Sequence, residues 1–335
     1  MKSRFFWLRV VLSVGLLGVL VLAADVDALL AIAANSNYVY LLLAVLVAFG
    51  DRILMAYKWN VLLRAKGIRI PFGTLLGTYL VSTFLGMFLP ATVGGDALRA
   101  YAITKQGHSG ADVVSSIVIE RVLGFQALFV FGVVSTVASL FVFGQGFLAN
   151  ARDLFWLFFT LLMGSLLLLF VSLRKNTVQR LSRALDRFKQ RPLIAKWWPK
   201  LAAVYRSYQA YQGHRVQLGE FLVLSLLENL FPLIWTFLLA LAFNIEVPLL
   251  YFFILVPIVL VLIRIPISFD GLGLQEGAFV FFLSQIGLPH SEALFLGLAS
   301  HLVAIISVLP GGALYSYRGL VVRAEEAGRS VPPVS

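Results

Sequence analysis

Cysteine is absent from the 335 residues, which excludes disulfides and thiolate metal sites. Charge is scarce: Asp, Glu, Lys and Arg make up 13% of the chain, about half the share of a soluble domain. The four histidines (His108, His214, His290 and His301) are scattered, with no ligand-like spacing and no HExxH, so neither a metal nor another cofactor is expected. No Walker-type phosphate loop occurs, so direct use of ATP is not expected either.

What the chain has is apolar surface. Hydrophobic residues make up 60%, and the mean hydropathy is +0.91. So few charges cannot coat an aqueous core of this size. Since backbone in lipid must satisfy its own hydrogen bonds, the expected fold is an all-α polytopic membrane protein. The net charge of +11 does not signal nucleic acid, because it is concentrated: eleven Lys or Arg face one acid, Asp186, between Arg174 and Arg215. Basic clusters beside a span mark the cytoplasmic side and favour anionic lipid headgroups.

Charge flanks then set the topology. An apolar run at 5–24 follows Lys2 and Arg4, placing the N-terminus inside; its end near Ala23–Ala24 is also shaped like a signal peptide, but the rest of the chain needs a membrane anyway. A span at 38–63 returns to Arg64, Lys66 and Arg69. The stretch "FLPATVGGDALRAY" at 88–101 then poses a problem, since both flanks of the 71–108 segment are basic and cytoplasmic. A re-entrant hairpin turning at Pro90–Gly95 solves it. Spans at 112–142 and 153–173 follow, then a basic amphipathic segment at 174–217 in which Val178, Leu181, Leu185 and Phe188, and then Ile194, Trp197, Leu201 and Tyr208, recur at helical spacing. After a span at 218–243, the segment 248–288 is broken by "RIPISFDGLGLQEG", and its exit arm is too short for the roughly 20 residues of a crossing. A final span at 290–316 ends inside, before a polar tail at 317–335. About six full spans and two opposed re-entrant hairpins keep both termini cytoplasmic.

The order of elements repeats with reversed direction: 38–142 carries the first hairpin and 218–316 the second. Inverted repeats whose broken helices meet near the midplane are a transporter architecture. Each tip aims a helix N-terminus inward, a natural site for an anion. Gly94, Gly95, Gly271 and Gly273 would let a headgroup approach the backbone, with Asp96 and Asp270 capping the half-helices.

Charges at depth are costly, from about 2.5 kcal/mol upward, and face a cavity or a partner. Glu120–Arg121 lies ~12 Å into its span and Glu228, beside Asn229, ~15 Å. Some of these charges are expected to be internal salt bridges. Asp96, Arg99, Glu120, Arg121, Arg264 and Glu276 are expected to line one polar cavity, with Ser268 at the second tip. Arginine suits phosphate because its planar fork binds it bidentately.

"FLPATVGGDALRAY", "IERVLG" at 119–124 and "IPISFDGLGLQEGAF" at 265–279, in this order, resemble the transmembrane region of the lysylphosphatidylglycerol synthase family, also called flippase-like membrane proteins. The resemblance covers about 40–320. It implies an integral membrane protein that handles lipids, and marks Pro90, Gly94, Gly95, Asp96, Arg99, Glu120, Arg121, Pro266, Ser268, Gly271, Gly273 and Glu276 as motif positions. This chain departs from the family pattern at Ser300–His301, where relatives often carry an arginine. No soluble aminoacyl-transferase domain follows, so lysyl transfer is not implied.

The leading expectation is a lipid or lipid-linked-intermediate translocase in the cytoplasmic membrane, with membrane lipids as partners and no nucleic acid. The alternative is an accessory subunit that docks a membrane-associated synthase or glycosyltransferase through the basic segment. An intramembrane enzyme is disfavoured. "GGD" lacks the partner motif of aspartyl proteases, and "DALRAY" is a fragment of the carboxylate-rich motif of phosphatidyl alcohol transferases.

Overall fold

The computed structural model describes residues 15–22, 25–89, 93–143, 151–173, 192–265, 268 and 271–317. Among these there is no strand, and five helical stretches are long and apolar enough to cross a membrane: Tyr38–Ala65, Gly110–Ser139, Arg152–Ser172, Arg215–Ala242 and His290–Tyr317. The first expected span, 5–24, is described only at 15–22, which is helical. The first half of the basic segment and the tail from 318 on lie outside the described residues, as do Pro90, Pro266 and Asp270.

Twelve helices are labelled in chain order. A short α1 (Val26–Ala34) precedes the long α2 (Tyr38–Ala65). Two short helices follow, α3 (Phe72–Met87) and α4 (Val93–Thr104), then the long α5 (Gly110–Phe143). α6 (Ala151–Leu173) and the amphipathic α7 (Pro192–Ala210) lead to α8 (Arg215–Glu228) and α9 (Leu230–Ala242), which together form one span broken at Asn229. Two further short helices, α10 (Leu249–Arg264) and α11 (Leu274–Ser284), precede α12 (His290–Ile306), whose span continues to Tyr317. Long, short, short, long thus occurs twice. The junctions repeat as well. Gly67-Ile-Arg-Ile-Pro71 ends α2 with a positive φ and starts α3 at a proline, and Asn244-Ile-Glu-Val-Pro248 does the same between α9 and α10. In both, the isoleucine N–H donates five residues back, Ile68 to Leu63 and Ile245 to Ala240, closing the helix end.

Contacts between helix ends show that each short pair returns to the end it left. Tyr211 donates to the Leu62 carbonyl at 3.0 Å, and Lys66 lies 4.0 Å from Asp112, so the end of α2, the start of α5 and the start of α8 share one end of the bundle. α3 and α4 therefore enter and leave there. At the other end Asn37 N–H donates to the Ala242 carbonyl at 2.7 Å and Phe243 meets Phe295 edge-on at 4.7 Å. The start of α2, the end of α9 and the start of α12 lie together, and α10 and α11 leave and return at that end. The pairs are opposed.

Small residues let the two repeats approach. Ala44 and Ala48 are fully buried in a core with Leu233, Leu239 and Ala240 of α9. In the first pair a Cβ on Gly86 would stand 3.1 Å from Gly95 Cα, and one on Gly95 2.8 Å from the Ser82 carbonyl. A Cβ on Gly94 would meet the Leu89 side chain at 2.4 Å. At the second tip Gly271 and Gly273 hold φ of 81° and 80°, which a side chain disfavours. The last turns of the chain's final span pack on α3, where a Cβ on Gly311 would sit 2.2 Å from the Leu80 carbonyl. Gly311→Ala is expected to lower stability by about 1–3 kcal/mol through overpacking against backbone that cannot yield. A fall in the thermal midpoint of the detergent-solubilised protein checks this.

The second half of the basic segment is a packed helix rather than a solvated linker. Tyr205 of α7 donates to the Ser172 carbonyl, Tyr208 and Ser172 share a 2.8 Å hydrogen bond, and Ser207 shares one of 2.7 Å with Ser115. Lys66 Nζ binds the Ser207 carbonyl and lies 4.3 Å from the Tyr211 ring. Burial draws this ammonium's pKa below the usual lysine range, and the Asp112 carboxylate opposes the shift.

Candidate functional site

Five helices place charged side chains on facing surfaces at the bundle centre. On α2, Asp51, Met55 and Lys58 recur at four- and three-residue spacing, one stripe of a helix, with Arg52 beside them. α4 contributes Asp96 and Arg99, α5 Glu120 and Arg121, α8 Glu228, and the last residue of α10 is Arg264.

Arg99 organises the first tip. It is 3% exposed, with its guanidinium carbon 4.7 Å from the Trp59 ring and 5.2 Å from the Tyr79 ring. Its Nη1 donates to Glu120 Oε2 at 2.8 Å, while Nη2 and Nε donate to Asp96 Oδ1 at 2.7 and 3.1 Å. The other Asp96 oxygen, Oδ2, accepts from Arg121 Nε at 2.9 Å. Asp96 therefore bridges two arginines from inside the first turn of α4. Arg99 is locked by rings and carboxylates on all sides, whereas the Arg121 side chain is 43% exposed and has room for a ligand.

Two more pairs neutralise the centre. Lys58 and Glu228 form an ion pair, and Arg52 Nη2 lies 3.7 Å from Asp51 while its Nε donates to Ser307 at 2.9 Å. Arg264 is different. Its Nη1 is buried and takes no hydrogen bond, its guanidinium lies 5.2 Å from the Phe125 ring, and among the described residues no carboxylate lies within ion-pair distance of it. Another cation, Arg121, lines the same small cavity.

Three small cavities surround these groups. One of about 190 Å³ at the first tip is lined by Gly95, Asp96, Arg99 and Arg121. A second of about 200 Å³ beside the second tip is lined by Asp51, Arg52, Glu228, Arg264 and Gln275. Between them a third, about 50 Å³, holds Lys58, Glu120, Arg121, Glu228 and Arg264. Met55 borders all three, and Arg121 and Arg264 both face the middle one.

The structure thus joins Gly95, Asp96, Arg99, Glu120, Arg121 and Arg264. Gly94, Gly271 and Gly273 serve helix contact and turn geometry instead. Ser268 is 2% exposed and borders none of the three cavities. Glu276 is fully buried, accepting from the Gly273 N–H at 2.7 Å and pairing with His301 Nδ1 at 2.8 Å, so it braces the second tip against α12. Ser300, at the place where this chain departs from the family pattern, accepts a hydrogen bond from Trp235 and shares one with Thr236. Sequence reasoning missed Asp51, Arg52 and Lys58, and left Glu228 outside the set. Their α2 spacing was the available signal.

Long apolar helices and two broken pairs around a charged, cavity-bearing centre define an all-α integral membrane protein. Residues 6–312 match the family described as the lysylphosphatidylglycerol synthase TM region, and the chain belongs to that family. This bears out the resemblance read from the three motifs. Over 128 residues the chain is 23% identical to UPF0104 membrane protein PH1989 of Pyrococcus horikoshii, a stretch that is 37% of this chain and 38% of that protein. No solved structure matches.

Proposed function

We propose that this protein is a translocase for a lipid or lipid-linked intermediate with an anionic or zwitterionic headgroup, and not an enzyme. It sits in the cytoplasmic membrane with both termini inside, and the headgroup passes between the two opposed tips while the hydrocarbon stays in the bilayer. One observation carries the reading: Arg264, a deep cation with no carboxylate partner among the described residues, lines the middle cavity together with Arg121. Every other deep cation described is paired, so among the described residues the centre has one more cation than it has carboxylates. A lipid phosphate balances the extra cation, and two guanidiniums are the groups best suited to hold that phosphate.

The test is translocation of fluorescent phosphatidylglycerol in proteoliposomes. Arg264→Gln is expected to slow it roughly 10–100-fold, the loss of one hydrogen-bonded charge contact of about 1.5–3 kcal/mol. Wild-type rates in this variant would remove the reading, and the accessory-subunit alternative would take its place. Sidedness is checked separately, because the chain lacks cysteine. Gln106 and Gln285 are exposed in the loops closing the two short pairs. A cysteine at 285 is expected to react with an impermeant thiol reagent on intact cells, and one at 106 only after permeabilisation.

A further inference from the structure

A furrow of about 730 Å³ runs along the outside of the bundle between α5, α6 and α7. Val118, Val122, Phe125 and Phe129 form its α5 wall, one residue per turn, covering about 17 Å at 1.5 Å per residue. That length is close to one leaflet of hydrocarbon, about half of the bilayer's ~30 Å. Four hydroxyls lie on the walls, and each is already hydrogen-bonded within the protein. Ser165 donates to the Leu162 carbonyl, Ser172 to the Leu169 carbonyl, Tyr205 to the Ser172 carbonyl, and Tyr208 is paired with Ser172. The furrow therefore presents hydrocarbon, and it opens outward beside Leu168, which is 72% exposed. At its α7 edge the tyrosine and serine bonds to α6 and α5 hold the wall in place.

The furrow abuts the charged centre. Phe125 borders both the furrow and the middle cavity, and the Arg264 guanidinium lies 5.2 Å from that ring. A phosphate between Arg121 and Arg264 is thus one aromatic ring away from a chain-length apolar track. We propose that this furrow seats one hydrocarbon chain of the lipid whose phosphate the two arginines hold, so that the substrate enters sideways between α5 and α6. This inference rests on the translocase reading and adds to it a long-chain phospholipid as the substrate class and a lateral route.

The test uses the full chain in nanodiscs with phosphatidylglycerol bearing a diazirine near the middle of one acyl chain. After photolysis, adducts are mapped by mass spectrometry. Adducts are expected on α5 and α6 wall residues, displaced by excess unlabelled phosphatidylglycerol but not by diacylglycerol, which lacks the phosphate. Arg264→Gln is expected to reduce them roughly tenfold, and so is Val122→Trp or, on the opposite wall, Leu169→Trp. The wild-type pattern and its competition need no variant to fold. Adducts spread over the bundle surface, or furrow adducts displaced equally by diacylglycerol and untouched by Arg264→Gln, would show an ordinary bilayer lipid and overturn the inference. The two readings fail separately. Phosphate-dependent furrow adducts with wild-type translocation in Arg264→Gln would remove translocation and keep the furrow. Slowed translocation without furrow adducts would do the reverse.

Discussion

Glu228→Gln is expected to destabilise the protein by about 3–5 kcal/mol, the cost of leaving a buried ion without its partner. Lys58 is 4% exposed and its ammonium pairs with Glu228, beside the Phe221 ring at 4.9 Å. Glutamine keeps the shape and removes the charge. The ammonium is then left in a region whose remaining acids, Asp51 and Glu120, are already bound to Arg52 and Arg99. Lys58→Met strands the carboxylate instead and is expected to cost a similar amount. The double variant Lys58→Met with Glu228→Leu should recover much of the loss, because two well-packed apolar groups avoid both desolvation costs. Thermal unfolding of the four proteins in one detergent gives the coupling. Singles that unfold like wild type, or a double no better than the worse single, would mean that the pair is hydrated and worth little.

Much of this architecture could be read from the chain because lipid allows few solutions. Basic residues on both sides of 71–108 forced a hairpin, and the short exit arm after Gly277 forced the second. Contacts at Leu62, Asp112 and Ala242 show the same opposed pairs. Asp96, Arg99, Glu120 and Arg121 were legible because charge in an apolar run is rare. The glycines misled for a physical reason: sequence shows that no Cβ is tolerated but not what fills its space. At Gly94 that is the Leu89 side chain and at Gly271 the Ile263 side chain. Asp51, Arg52 and Lys58 were hidden because an average over the 28 residues of α2 dilutes three charges. Glu276 was expected to line the cavity, but its partner His301 is 25 residues away and no spacing rule joins them. The repeat was written more openly than the tips suggested, in Gly67-Ile-x-Ile-Pro71 against Asn244-Ile-x-Val-Pro248.

Asp96→Asn is expected to slow translocation at least roughly tenfold while making the protein hold anionic lipid more tightly. In the structure the Asp96 carboxylate binds three N–H groups of Arg99 and Arg121, so it competes with any phosphate for Arg121. On the proposed translocase reading, a headgroup that binds Arg121 displaces Oδ2, and the returning carboxylate displaces the headgroup. Asparagine keeps one acceptor but loses the charge that makes such bonds roughly twice as strong. The empty site then carries one more net positive charge, and the lipid that enters is slow to leave. A role in folding alone predicts lower stability with proportionate loss of both binding and transport. Release control predicts that the two move in opposite directions. Lipid retained through purification, counted per protein by mass spectrometry, and proteoliposome translocation should therefore diverge in Asp96→Asn. Asp96→Glu, which restores the charge, should bring both back toward wild type. If binding and translocation fall together in both variants, Asp96 is a brace for Arg99, and the route of the headgroup lies elsewhere in the bundle.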